Sequence, residues 1–255
     1  MLLRQSKFSF KTVLAGLAVA TAIALPSVTA KAAPTAIRDQ SKVQLYYNDT
    51  CYVYHGTTSS NIYIKVANNI QDKDVKVKYK TSTKEDTGHA EFIKNLDADY
   101  SIYQFHPDVS MGDIEYTIEA ENGNHTEAYI DDNNGKKYTS ADILGAANIS
   151  ARRTNGSVGS SYYPICAAVK NLGYTKDIKV RYTLDNWNTY KEVPLSHDNY
   201  KYNDDDSCEI WSTSIDTTGA TSDTFQYCLS YTVNGQTYWD NNFGRNYNSN
   251  FYSPY

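Results

Sequence analysis

Two stretches of this chain are written twice, and the repetition limits its fold more than any other feature. Val66-Ala-Asn68 followed by Asp74-Val-Lys-Val-Lys-Tyr79 recurs, 103 residues later, as Val169-Lys-Asn171 followed by Asp177-Ile-Lys-Val-Arg-Tyr182. Tyr129-Ile-Asp-Asp-Asn-Asn-Gly-Lys-Lys-Tyr138 recurs, 109 residues later, as Tyr238-Trp-Asp-Asn-Asn-Phe-Gly-Arg-Asn-Tyr247. A period of about a hundred residues is a whole domain, too long for a solenoid unit. The reading is two domains, 38–140 and 141–255, preceded by a short tail at 33–37, with 139–159 holding the junction and the first strand of the second domain.

Both halves read as β. Val75, Val77 and Tyr79, then Ile114, Tyr116 and Ile118, then Ile178, Val180 and Tyr182 alternate with polar neighbours, the period of a half-buried strand. Phe225, Tyr227, Leu229, Tyr231 and Val233 do the same just before Asn234-Gly235, the dipeptide that two-residue hairpin turns favour. No window outside the first residues carries a helical apolar stripe. Short strands joined by Gly, Asn and Asp turns predict an all-β chain with a sandwich in each half.

The first residues are expected to be removed. Arg4, Lys7 and Lys11 precede the apolar run 13–25, and Ala30-Lys31-Ala32 is a small-residue cleavage pattern. The run is shorter than the about 20 residues that span a bilayer. A Sec-type signal peptide over 1–32, cleaved after Ala32, predicts a secreted protein with no membrane attachment. Its four basic residues leave 20 Lys and Arg against 29 acids in the mature chain. That negative balance excludes nucleic acid and anionic lipid as natural partners.

Four cysteines (Cys51, Cys166, Cys208, Cys228) allow three pairings, and with three of them in the second half two bridges would need an inter-domain crosslink. One bridge with spare thiols is equally compatible. The five histidines form no HExxH, no tight His-x-His and no partner for a nucleophile elbow. Asp204-Asp205-Asp206 reads as a solvated loop before it reads as a calcium site. The expectation is no enzyme, no metal and no cofactor.

The segment Tyr238–Tyr247 is different in kind, with aromatics and asparagines crowded where a hairpin strand ends. Trp239 is either a core ring beside a turn or a platform for a sugar face, with amides to meet the hydroxyls. Together with Val180-Arg-Tyr-Thr-Leu-Asp-Asn-Trp187 and the hairpin Phe225–Tyr238, it resembles a family 21 carbohydrate-binding module over residues 165–247. The family includes starch-binding domains of fungal glucoamylases and glycogen-targeting subunits of protein phosphatase 1. The resemblance implies an immunoglobulin-like β-sandwich that binds α-glucan without chemistry, with Trp187 and Trp239 side by side as one site. It implies Tyr174 as the centre of a second site, with an aromatic partner near His197. Polar contacts would come from Asn171, Lys176, Asn241 and Asn246. A third aromatic of the platform would fall on Cys228.

The first half keeps the strand anchors and lacks these residues. Ile130 stands for Trp239, Gln71 for Tyr174, and 81–89 holds no Trp. It is expected to be a degenerate copy. A secreted glucan binder could serve a separate amylolytic enzyme, and the leader excludes a cytosolic phosphatase as partner. The alternatives are an adhesion or assembly protein that contacts another polysaccharide or a protein and, behind it, a degenerate glycosidase.

Overall fold

The chain was described from a computed structural model, which covers residues 33–49, 51–52, 58–59, 61–109, 112, 114–152, 154, 156–198 and 208–248. The leader 1–32, the side chain of Cys51 and the run Asp204–Asp206 lie outside the described residues.

The alternation read from sequence produces the strands. The first half holds β1 (Thr35–Arg38), β2 (Val43–Asn48), β3 (Cys51–Tyr52), β4 (Thr58–Ser59), β5 (Ile62–Ala67), β6 (Asp74–Lys80), β7 (Glu85–His89), β8 (Glu91–Asn95), β9 (Tyr100–Phe105), β10 (Glu115–Glu121) and β11 (Glu127–Asp131). The second holds β12 (Ile149–Arg152), β13 (Tyr163–Lys170), β14 (Lys176–Thr183), β15 (Lys191–Pro194), β16 (Ser196–Asp198), β17 (Cys208–Ile215), β18 (Gln226–Val233) and β19 (Gln236–Asp240). No α-helix occurs among the described residues.

The strand order is the same twice. Sheet β2-β5-β9-β8 corresponds strand for strand to β12-β13-β17-β16, and β11-β10-β6-β7 to β19-β18-β14-β15. Each pair of sheets encloses a core. Val43, Ile64, Val77 and Ile118 meet in the first, and Ile165, Val180, Leu229 and Tyr231 in the second. The order is that of immunoglobulin-type sandwiches. Asn234 (φ 51°) and Gly235 (φ 77°) both take the left-handed region, so the β18–β19 hairpin closes with the expected two-residue turn.

One difference between the halves matters for the site. Residues 35–37, in the N-terminal tail, belong to β1, which pairs in parallel with the outer edge of β11. In the second half β19 is an edge strand, and no described strand covers its outer edge. The segment 144–147, which precedes β12, is bonded to the first half. Gly145 and Ala147 donate to the Tyr46 carbonyl, Ala146 donates to that of Leu45, and Leu144 bridges to Tyr47.

Ala33–Tyr255 is one compact unit. Two small clusters join the sandwiches. Phe243 enters a group formed by Tyr47, Tyr63, Ile102 and Tyr46, stacking on Tyr47 at 5.9 Å. Ile143 and Leu144 cover Ala168 and Ile210 on the outer face of β13 and β17. Arg152 adds a bond from its guanidinium to the Asn48 carbonyl at 2.9 Å. Cys166, Cys208 and Cys228 are thiols rather than disulfide partners.

Candidate functional site

Strand parity decides which way the candidate residues face. On β14-β18-β19, Val180, Leu229 and Asp240 are in register and point into the core, so Lys179, Ser230 and Trp239 point out. Arg181 and Cys228 form the next outward pair, and Thr183 and Gln226 the one after. Trp239 is 46% exposed on this face.

Beyond Asp240 the chain ties a tight knot. Asn242 (φ 50°), Phe243 (φ 56°), Gly244 (φ 90°) and Asn246 (φ 59°) are all left-handed, a region Asn and Gly tolerate and Phe does not favour. The asparagines hold the knot themselves. Asn241 accepts from the Gly244 amide at 2.9 Å, and Asn242 donates to the Asn246 carbonyl at 3.0 Å. Asn246 donates to Gln226 Oε1 at 3.2 Å. Asp240 anchors it, accepting from the Ala151 amide at 2.6 Å and from Tyr247 at 2.7 Å. Burial pushes the Asp240 carboxyl above the ordinary range, and these bonds oppose the rise.

Trp187 is presented by a second knot. Asp185 accepts from the Thr189 amide at 2.9 Å and hydroxyl at 2.7 Å, and from the Thr183 hydroxyl at 2.7 Å. These bonds hold its carboxyl below the usual range. Thr183 Oγ1 accepts in turn from the Trp187 amide at 2.9 Å. The turn forces Asn186 (φ 56°) and Trp187 (φ 68°) into the left-handed region. The indole Nε1 donates to Gln226 Oε1 at 2.9 Å, so Gln226 gathers Trp187 and Asn246 on one oxygen.

Trp187 and Trp239 therefore share one sheet face. Gln226, which holds Trp187, and Ser230, which pairs with Trp239, are four residues apart on β18, a rise of about 13 Å. Arg181 and Cys228 occupy the interval. The Arg181 guanidinium lies 4.8 Å from the Trp239 ring centre and 4.9 Å from that of Tyr190, and Glu192 pairs with it at 2.6 Å. Where a third aromatic was expected at Cys228, the face carries a ring–cation–ring stack instead.

Tyr174 lies at the other end of the sandwich. It is fully exposed in the loop before β14, whereas Trp187 follows the far end of that strand. Eight residues of strand separate them, about 26 Å. Asn171 and Lys176 are brought together there. Lys176 donates to Asn171 at 2.9 Å and pairs with Glu209 at 2.9 Å. Glu209 accepts from the Trp211 indole at 3.0 Å, and His197 meets Trp211 edge-on at 5.5 Å. Burial works to raise the Glu209 carboxyl, yet the Lys176 and Trp211 bonds hold it below the usual range.

Sequence reasoning did not single out Arg181, Tyr190, Gln226, Glu209 or Trp211. For Arg181 the signal was available, since it is in phase with Lys179 on an alternating strand. Tyr190 is one tyrosine among 24 and carried none. Among the described residues no group of three His, Cys, Asp or Glu is placed to hold a metal ion.

The outer face of β14, β18 and β19 thus presents rings and amides that are held by their own turns. Residues 165–250 match the carbohydrate/starch-binding module (family 21). Protein phosphatase 1 regulatory subunit 3C of Bos taurus is 35% identical over 81 residues, which are 31% of this chain and 25% of that protein. Subunit 3B of Homo sapiens is 35% identical over 81 residues, 31% of this chain and 28% of that protein. The chain thus spans about a quarter of the length of these relatives. Among solved structures, the starch-binding domain of Rhizopus oryzae glucoamylase, in complex with beta-cyclodextrin and maltoheptaose, is 26% identical with a TM-score of 0.33. That likeness covers 40% of this chain and 92% of that one.

Proposed function

We propose that this chain is a secreted, non-catalytic binder of α-glucans, taking starch, glycogen and maltooligosaccharides on the outer face of β14, β18 and β19. The observation that carries the proposal is a coincidence of two independent facts. The family match falls on residues 165–250, and the two outward indoles, Trp187 and Trp239, lie on one face within that stretch. Asn241 and Asn246 border the rings and offer amides to hydroxyls. Asn171, Lys176 and Tyr174 form the remote second contact.

The rest of the reading follows from sequence. Residues 1–32 act as a signal peptide cleaved after Ala32, and 38–140 and 141–255 are tandem domains. The first is a degenerate copy whose equivalent face is filled by ion pairs such as Lys78–Glu119 and Lys137–Glu115. The phosphatase in the relatives' names belongs to proteins of which this chain matches a quarter, and only the glucan part is carried over. A separate amylolytic enzyme is the partner such a binder would serve.

The test is a polysaccharide screen with the whole mature chain over amylose, glycogen, cellulose, xylan and chitin. Retention on amylose and glycogen alone is expected, with Trp187→Ala and Trp239→Ala each weakening maltoheptaose binding at least tenfold while circular dichroism stays unchanged. Burial of a sugar face on one indole, about 80–100 Å², is worth roughly 2 kcal/mol, which sets that figure. Product release from starch would make it an enzyme, and two folded Trp variants that bind like the parent would put the site elsewhere.

A further inference from the structure

The two sandwiches enclose a cleft of about 210 Å³ that is lined from both sides. Trp239, Asn241 and Gly244 come from the second half, and Tyr46, Lys94 and Leu96 from the first. Resting on the glucan reading above, we propose that this cleft is a further glucan subsite, so that the polymer continues from Trp239 onto the first half.

Three observations converge on it. Arg181 stands over one face of the Trp239 ring, reaching it from β14 across β18. A sugar stacking on Trp239 must use the rest of the ring, which borders the cleft. Next, β19 is an edge strand with no partner on its outer side among the described residues, and the segment 144–147 is bonded to β2. Trp239 itself lines the cleft, so the ring and the cleft are continuous. Finally, the far wall is fixed. Lys94 donates from its ammonium to the Phe243 carbonyl at 3.0 Å, and Phe243 is seated among Tyr46, Tyr47 and Tyr63 of the first half.

The lining suits a pyranose. Leu96 is 37% exposed and, with Tyr46 and Trp239, gives apolar surface for C–H faces. The Lys94 ammonium and the Asn241 amide give donors and an acceptor for hydroxyls, and no unpaired acid is required. At about 30 Å³ per water the cleft holds about seven, room for one sugar ring and too little for the about 300 Å³ or more of usual small-molecule sites. It is a continuation of a surface, and not a pocket for a separate ligand.

Calorimetry of the whole mature chain with maltotriose and maltoheptaose tests this, comparing the parent with the double variant Lys94→Ala/Leu96→Ala. Both side chains are at the surface, and thermal melting checks that the fold is kept. The parent should bind maltoheptaose more tightly than maltotriose. The double variant should bind maltotriose within twofold of the parent and maltoheptaose at least fivefold more weakly. Unchanged binding of both sugars overturns the subsite, as does an equal loss for both, which would mean that Lys94 only steadies the Phe243 loop. In either case Trp239→Ala would still weaken binding and the glucan reading would stand. A parent with no gain from chain length overturns the subsite alone. A parent that binds neither sugar overturns both.

Discussion

Tyr247 donates its hydroxyl to the Asp240 carboxylate at 2.7 Å, and 109 residues earlier Tyr138 donates to Asp131 at 2.7 Å. Each carboxylate also takes an amide from the first strand of the opposite sheet, Ala151 on β12 at 2.6 Å and Leu45 on β2 at 2.9 Å. The repeated Tyr-x-Asp…Tyr motif is thus a staple between the two sheets of each sandwich. What the halves share at this motif is structure. What they do not share, Trp239 against Ile130, faces outward and is free to carry function.

Tyr247→Phe should therefore cost about 1–3 kcal/mol, because it strips a donor from a buried carboxylate. Tyr138→Phe should cost less, since Asp131 keeps Leu45, Asn133 and Gln40 as donors. Urea denaturation of the two variants gives both numbers. A neutral Tyr247→Phe would mean that the staple contributes nothing.

The fold was readable because strand parity and the repeat are both properties of the chain itself. Asn234-Gly235 announced the hairpin, and Val180 and Leu229 announced the inward face. The site was readable only in part. Asn241, Asn242 and Asn246 suggested a ligand by type, yet much of their bonding is spent on closing the turn at Phe243. The resemblance implied Trp187 beside Trp239. Their separation by Arg181 depends on a side chain from β14 reaching over β18, which no local pattern encodes. The strand within the N-terminal segment has no local signal either. Thr35–Arg38 is a strand only because β11 offers it an edge.

Asp240 should also leave a mark on stability against pH. Its folded-state pKa is raised, chiefly by burial, so the folded chain holds that proton more tightly than the unfolded chain. Stability from this group is greatest below the unfolded value of about 4 and is lost as pH rises through the folded value. Asp240→Asn removes the titration. The parent should then lose stability relative to the variant from about pH 4 upward, measured as the difference in urea-derived free energies. A difference that stays flat to pH 8 would show Asp240 ionising as it does in the unfolded chain.

Burial pushes the Cys166 and Cys228 thiols up to about 11 each, against opposing pulls from Arg152 and Arg181. At pH 8 roughly one molecule in a thousand carries either thiolate, so both should resist iodoacetamide in the folded chain and react in urea. Peptide mapping by mass spectrometry reads the two sites separately. Fast labelling of Cys228 in the native chain would mean that the face between Arg181 and Trp239 opens more than the structure shows.

Tyr174 and Trp187 stand at opposite ends of β14, about 26 Å apart by strand rise. A maltotriose cannot reach from one to the other, whereas a starch granule offers many chains to both. Under the glucan reading, the second contact then becomes intramolecular once the first is made, and retention rises through effective concentration with no new interaction at either site. Tyr174→Ala should leave calorimetric affinity for maltotriose at the Trp239 face within about twofold, a change of no more than about 0.4 kcal/mol. The same variant should lose at least about tenfold in retention on granular starch, a conservative share of the about 10²–10⁴ that simultaneous engagement can add. Sedimentation with starch granules and calorimetry with the short sugar separate the two effects on one protein preparation. If granule retention matches the parent, Tyr174 is a surface tyrosine and the face of β14, β18 and β19 binds starch alone. If both measurements fall together, Tyr174 acts through the fold, and the circular dichroism of the variant should show it.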